Sequence, residues 1–180
     1  MKKAISKKGQ SLNIKEYAKV LQDIKQQIHE SQVKAVLAAN KELLKLYWYI
    51  GKTITEQQKL NGWGSNSVEK LTEDIQKEFP GLGGFSRANI FKMRSFYSAY
   101  EKVSQAVRQI EDLPIFDIPW GHNVILITKI KANAERLWYT EKAIENGWSR
   151  TILEMQIESD LYNRQGKAIT NFKDRLPTSI

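Results

Sequence analysis

The chain has 180 residues, with 28 Lys and Arg against 20 Asp and Glu, a net charge of +8, and no cysteine. That length can bury a sizeable core as one domain or two small helical ones, while the missing thiols exclude disulfides, thiolate metal sites and cysteine nucleophiles. The cation excess favours a polyanionic partner over a surface kept basic for solubility. The opening MKKAISKKGQSLN has no apolar run of signal-peptide length, and no stretch nears the roughly 20 apolar residues of a membrane span, so a soluble cytoplasmic protein without a membrane partner is expected.

Residues 1–13 carry Lys2, Lys3, Lys7 and Lys8 without an acid and read as a disordered basic arm. A first amphipathic helix is expected over 14–30, with Ile14, Tyr17, Leu21, Ile24 and Ile28 at spacings of three and four. A second runs from Val33 to Leu60 through Val36, Leu37, Leu44, Tyr47, Ile50 and Ile54, a strut of roughly 40 Å at 1.5 Å per residue. Gly51 inside it costs about 1 kcal/mol relative to alanine, which suggests close approach of another backbone. Tyr47, Trp48 and Tyr49 read as core aromatics.

NGWGSNS at 61–67 stops the strut, and Asn66 with Glu69 has capping-box spacing for a helix over 67–79 that buries Val68, Leu71, Ile75 and Phe79. FPGLGG then forces a sharp turn. Ser86 caps a helix over 87–101 with Ile90, Met93, Tyr97 and Tyr100 inward. Pro114 and Pro119 mark a connection over 111–123 whose apolar residues must pack on something. NVILITKI suits a strand or a helix, and with no visible partner strand it reads as helix. Asn133 is the expected cap of a helix over 134–146 carrying Leu137, Trp138 and Ile144; Ser149 caps another over 150–163 with Leu153, Ile157 and Leu161 inward. A polar, basic linker closes the chain over 164–180.

Two segments echo one another. GGFSRANIFKMRSFY at 83–97 and NGWSRTILEMQIESD at 146–160 both run glycine, aromatic, serine, arginine and then helix. Between Gly84 and Ile110 stand Arg87, Lys92, Arg94, Lys102 and Arg108 against Glu101, whereas Trp148 to Tyr162 has Arg150 against Glu154, Glu158 and Asp160. Phe85 and Trp148 read as hydrophobic staples beside the two caps.

Chemistry of catalysis finds little support. His29 and His122 are far apart with no metal-ligand partner at i+4, LGGFSRAN lacks a phosphate-loop lysine, and Asp23-Ile24-Lys25 lies on a helix, unlike a metal-dependent nuclease centre. No catalytic or metal-binding residue, cofactor or small-molecule substrate is expected. Nucleic-acid binding does better, because a helix, a tight glycine-rich turn and a basic helix form the layout of a helix-turn-helix reader. The candidate binding residues are Ser86 at the helix N-terminus, Arg87 in the first turn, Asn89 for an adenine edge, and Lys92, Arg94 and Lys102 for phosphates. The connection from Phe79 to Ser86 is longer than is usual for that motif.

YWYIGK at 47–52, GFSRANIFKMRSFY at 84–97, WGH at 120–122 and the run from LWYTEKAIENGWSR through LEMQIESDLYNR at 137–164 resemble the N-terminal domain of the bacterial YhcG family. The resemblance covers about 45–165 in consistent order. Gly84, Phe85, Ser86, Asn89, Met93, Arg94, Phe96 and Tyr97 carry one motif; Trp148, Ser149, Leu153, Gln156, Ile157, Leu161, Tyr162 and Arg164 carry the other. It implies a DNA-binding front end, helix-turn-helix or winged-helix-like, in a family that joins this domain to a C-terminal PD-(D/E)XK nuclease and works in DNA processing or defence. It also tips NVILITKI toward helix.

The expected architecture is therefore all-α, with multiple helices and helix-turn-helix-like units packed on a long helix. The domain spans 14–163, in sub-parts 14–110 and 120–163. The expected function is a non-catalytic module that targets a nuclease to duplex DNA, with structured RNA left open. The alternative is a protein-interaction or dimerisation module of the same system, with a homodimer as its simplest form.

Overall fold

The computed structural model describes residues 13–105 and 110–165, and among them there is no strand. The basic arm and the basic linker lie outside the described residues except at their inner ends, where Asn13 accepts backbone hydrogen bonds from Lys15 and Glu16 at 3.2 and 3.4 Å. The helices are α1 (Ile14–Asn61), α2 (Ser65–Glu78), α3 (Arg87–Ser104), α4 (Trp120–Lys129), α5 (Asn133–Asn146) and α6 (Arg150–Glu158), with 3-10 turns at Ile110–Asp112 and Pro114–Phe116. No helix among the described residues is long and apolar enough to cross a membrane.

The two helices expected at 14–30 and 33–60 are one helix. The intervening Ser31-Gln32 contains neither glycine nor proline, so no residue there forces the backbone out of the helical ladder. Contacts divide the chain into a unit of residues 1–38 and a unit of residues 39–180. In the first, Ile14, Tyr17, Ile24 and Ile28, expected to face a core, are exposed, as are Val33, Val36 and Leu37.

The second unit is built on an aromatic core. Trp48 of α1 packs edge-on against Phe96, Tyr97 and Phe116 at centroid distances of 5.6, 4.9 and 5.9 Å, and Phe96 meets Trp120 at 5.4 Å. Such edge-to-face pairs contribute about 0.5–1.5 kcal/mol each beyond their area. Gly51 is where α1 and α3 approach. A Cβ there would collide with the Met93 carbonyl oxygen and lie 2.7 Å from the carbonyl carbon, so the expected close backbone approach is present. Tyr49 points away and is exposed, unlike its neighbours Tyr47 and Trp48.

Helix α2 starts at Ser65 behind Gly64, with no side-chain cap; Asn66 is already helical, and the capping box with Glu69 does not form. Val68 and Thr72 are its buried residues, and Phe79, expected inside, is 55 % exposed. The connection 111–123 is interior: Leu113, Ile115, Phe116 and Ile118 are all buried, and Asn123 donates to the Ile115 carbonyl at 2.8 Å.

A second apolar cluster joins Ile118, Leu126, Ile130, Tyr139, Ala143 and Leu153. NVILITKI is helical as expected, forming most of α4. Helix α5 starts at Asn133 rather than being capped by it. Asn133 Oδ1 accepts from Arg136 Nη1 at 2.7 Å, and the buried face is Arg136, Tyr139, Thr140 and Ala143, with Ile144 exposed. The Arg136 charge is buried but well compensated, since it also donates to the carbonyls of Ile130, Ala99 and Lys131. Helix α6 stops at Glu158, short of the expected 163, and Asp160 with φ +54° turns the chain into a further helical turn over 161–165.

Gly51→Ala should lower the urea midpoint by an amount worth about 1–3 kcal/mol. Overpacking against the Met93 peptide outweighs the about 1 kcal/mol gained in helix propensity. A midpoint at or above that of the parent chain would contradict the close contact.

Tyr100 generates a pH dependence. Burial pushes its phenol pKa well above the ordinary value, and Arg136, whose guanidinium lies 5.4 Å from the ring centroid, pulls it back only partly. The unfolded chain releases this proton near pH 10, while the folded chain holds it. Stability from this group is therefore complete below about pH 10 and declines as pH rises above it. Urea titrations from pH 8 to 11 should show a shallower alkaline loss in Tyr100→Phe than in the parent.

Candidate nucleic-acid interface

The turn before α3 is set by backbone conformations that side chains resist, with Gly81 at φ +86° and Gly84 at φ +93°. A Cβ on Gly84 would also stand 2.5 Å from the Tyr47 hydroxyl. Phe85 is buried, with its ring edge-on to Tyr47 of α1, and Gln76 of α2 donates to the Phe85 carbonyl at 3.0 Å. Ser86 is the N-cap: its Oγ accepts from the Asn89 backbone N–H at 3.3 Å.

Helix α3 has two faces. Ile90, Met93, Phe96, Tyr97 and Tyr100 are buried. Arg87, Phe91, Arg94, Ser98 and Lys102 follow one another at i, i+4, i+7, i+11 and i+15, a single stripe beside the buried face, with Phe91 partly buried against the core. Along this stripe the Arg87 and Arg94 guanidiniums stand 5.3 and 5.1 Å from the centroid of the same Phe91 ring.

Their polar partners differ. Arg87 Nε is 2.9 Å from Glu69 Oε1 of α2, an ion pair whose side chains are both about half exposed and which contributes little to stability. Among the described residues, the polar partner of Arg94 is the neutral Gln58, at 3.4 Å. Lys102 is exposed in the last turn. Lys92 is exposed too, but it sits about 100° round the helix from the stripe.

Asn89 is placed differently from the other candidates. Its amide nitrogen donates to the Gly84 carbonyl, its Oδ1 accepts from Trp120 Nε1 at 2.8 Å, and it hydrogen-bonds the Tyr47 phenol. Burial raises the pKa of that phenol, and the Asn89 bond partly offsets the rise. Both ends of the amide are thus engaged inside the domain, where they tie α1, the turn, α3 and α4 together. The structure brings Arg87 and Arg94 together around Phe91 and leaves Lys92, Lys102 and Asn89 apart from that pair.

Sequence reasoning missed Phe91 as the shelf, although its spacing, four after Arg87 and three before Arg94, carried the signal. It had no signal for Glu69, which arrives from another helix.

The echo at 146–160 uses the same start. Gly147 is left-handed at φ +59° and Ser149 Oγ accepts from the Ile152 N–H at 3.3 Å. Its acids meet a cation from α4: Lys129 Nζ lies 2.9 Å from Glu154 and 2.6 Å from Glu158. These bonds raise the Lys129 pKa and lower that of Glu154. His122 is buried with Nε2 2.8 Å from the Trp148 carbonyl oxygen, and His29 is exposed. Among the described residues no group of three or more His, Asp or Glu is placed to hold a metal.

Asn89→Ala should leave the Trp120 indole N–H without its acceptor, costing about 1–3 kcal/mol in urea unfolding and changing the tryptophan emission of the folded chain. Unchanged stability and emission would show that the amide does not hold the helix start.

A sequence model of the family described as the DUF1016 N-terminal domain matches residues 23–164. No curated protein and no solved structure matches the chain.

Proposed function

The chain belongs to the DUF1016 N-terminal domain family, and on that premise we propose that it binds duplex DNA through the outward stripe of α3, as the targeting module of a PD-(D/E)XK nuclease whose catalytic domain is separate from these residues. The observation that carries the proposal is the Arg87–Phe91–Arg94 cluster. Two like charges held against one ring repel each other, and among the described residues the acid at the cluster is Glu69, which pairs with Arg87. A phosphate supplies the missing negative charge, and guanidiniums meet it with paired donors in a fixed plane. Lys102 extends the stripe toward a second phosphate and Lys92 adds charge at its flank. Ser86 and Asn89 then act by building the start of the helix, which keeps its first N–H groups near the incoming phosphate.

The exposed apolar residues of α1 support a second role, as a protein-interaction module, which is compatible with DNA binding.

Fluorescence anisotropy with a labelled duplex tests the DNA reading. Affinity should fall linearly on a log–log plot against salt, and combining Arg87→Glu, Lys92→Glu and Arg94→Glu should weaken binding at least about tenfold while flattening the slope by about 0.9 for each phosphate no longer neutralised. A salt-independent signal, or one the triple variant leaves unchanged, removes the proposal. A duplex RNA of the same sequence, titrated in parallel, distinguishes the two nucleic acids.

A further inference from the structure

Helix α3 carries Arg87, Lys92, Arg94 and Lys102 against one acid, Glu101, and that acid is engaged by α1, where Lys59 Nζ lies 3.0 Å from its Oε1. The acid that reaches the α3 stripe comes from α2 instead. Val68 and Thr72 bury one face of α2, and Glu69 stands at the rim of that face. Gln76, seven residues further along the same flank, donates to the Phe85 carbonyl at 3.0 Å, so this flank of α2 runs beside the start of α3. Glu69 Oε1 thereby comes to 2.9 Å from Arg87 Nε.

The two guanidiniums on the Phe91 ring are therefore unequal. Arg87, 5.3 Å from the ring centroid, faces a carboxylate, whereas Arg94, 5.1 Å from it, faces the amide oxygen of Gln58. In the free chain Glu69 balances the charge of Arg87 and Gln58 leaves that of Arg94 unbalanced. A carboxylate and a phosphate accept the same guanidinium N–H groups, so at Arg87 they compete. The Arg87 and Glu69 side chains are both about half exposed. Such a pair is worth less than about fivefold in an equilibrium constant, and water takes up the carboxylate when it lets go.

We propose that Glu69 is a built-in competitor of nucleic-acid phosphate at Arg87: its carboxylate holds the guanidinium in the free chain, and binding a duplex exchanges it for a phosphate oxygen. The inference rests on the reading of this stripe as a DNA-binding surface and adds the regulation of that surface. Arg94 is open to the first phosphate, and Arg87 engages only after the carboxylate withdraws. A lone small anion gains little by that exchange, while the closely spaced phosphates of a duplex engage Arg94 and displace Glu69 together.

Anisotropy with a labelled duplex, on the 180-residue chain and four variants of it, tests the inference. Glu69→Gln keeps the shape of the side chain and an acceptor for Arg87 Nε, and removes the charge. It should tighten binding about two- to fivefold and steepen the log–log salt slope by up to about 0.9, with circular dichroism unchanged. In an Arg87→Gln background the same substitution should gain nothing. Glu78→Gln controls for net charge, because Glu78 lies roughly 14 Å along α2 and half a turn round it from Glu69, beyond the screening length of about 10 Å in 0.1 M salt. It should bind as the parent does. Binding that Glu69→Gln leaves unchanged or weakens overturns the inference and makes the carboxylate a group that orients Arg87. A gain that persists without Arg87, or that Glu78→Gln matches, overturns it as an effect of net charge. Those outcomes leave DNA binding by the stripe standing, whereas a parent chain that binds no duplex removes that reading and the inference together.

Discussion

At Gly51 the backbone of α1 comes so near the Met93 carbonyl that no side chain fits between them. That approach brings Trp48, one turn earlier, into edge contact with Phe96 and Tyr97, and Phe96 in turn meets Phe116 and Trp120. With the buried side of α3 fixed against α1, its rotation is fixed as well. The direction in which Arg87, Phe91 and Arg94 face follows from a contact on the opposite side of the same helix.

The start of α3 is secured by polar bonds where its middle is secured by packing. Asn89 joins four segments with one amide, and Ser86 closes the first turn. This division follows from where water reaches. Deep in the core, aromatic area is the stronger resource; at a half-exposed helix end, unpaired N–H and C=O groups must find partners. Helix α6 repeats the polar start, yet its acids are met by Lys129, so the same local device leads to surfaces of different charge.

Much of this was legible in the residues. Helical periodicity gave α3 its inward face, Ser86 and Ser149 signalled their caps through their place after a glycine and an aromatic, and Gly51 announced a close approach by being a poor helix residue in a long helix. The failures share one cause: a local pattern says that a bond is available, never which partner takes it. Asn66 and Asn133 had the spacing of caps, but the helices began one or two residues earlier, and Asn133 found Arg136 instead. Asn89 looked free to read a base until Trp120, thirty-one residues away, supplied a donor. Apolar spacing in residues 14–28 announced a helix but not what its apolar residues would meet, and Ile14, Tyr17, Ile24 and Ile28 are exposed.

Helix α3 separates its obligations by side. Its core positions are locked by rings and by a backbone contact, whereas positions 87, 94, 95, 98 and 102 lie outside that core. Changes at those outward positions leave the interior packing intact, so the surface text of this helix is rewritable under selection. The outward surface can thus change while the fold stays constant, and related chains are expected to diverge most where this helix faces outward.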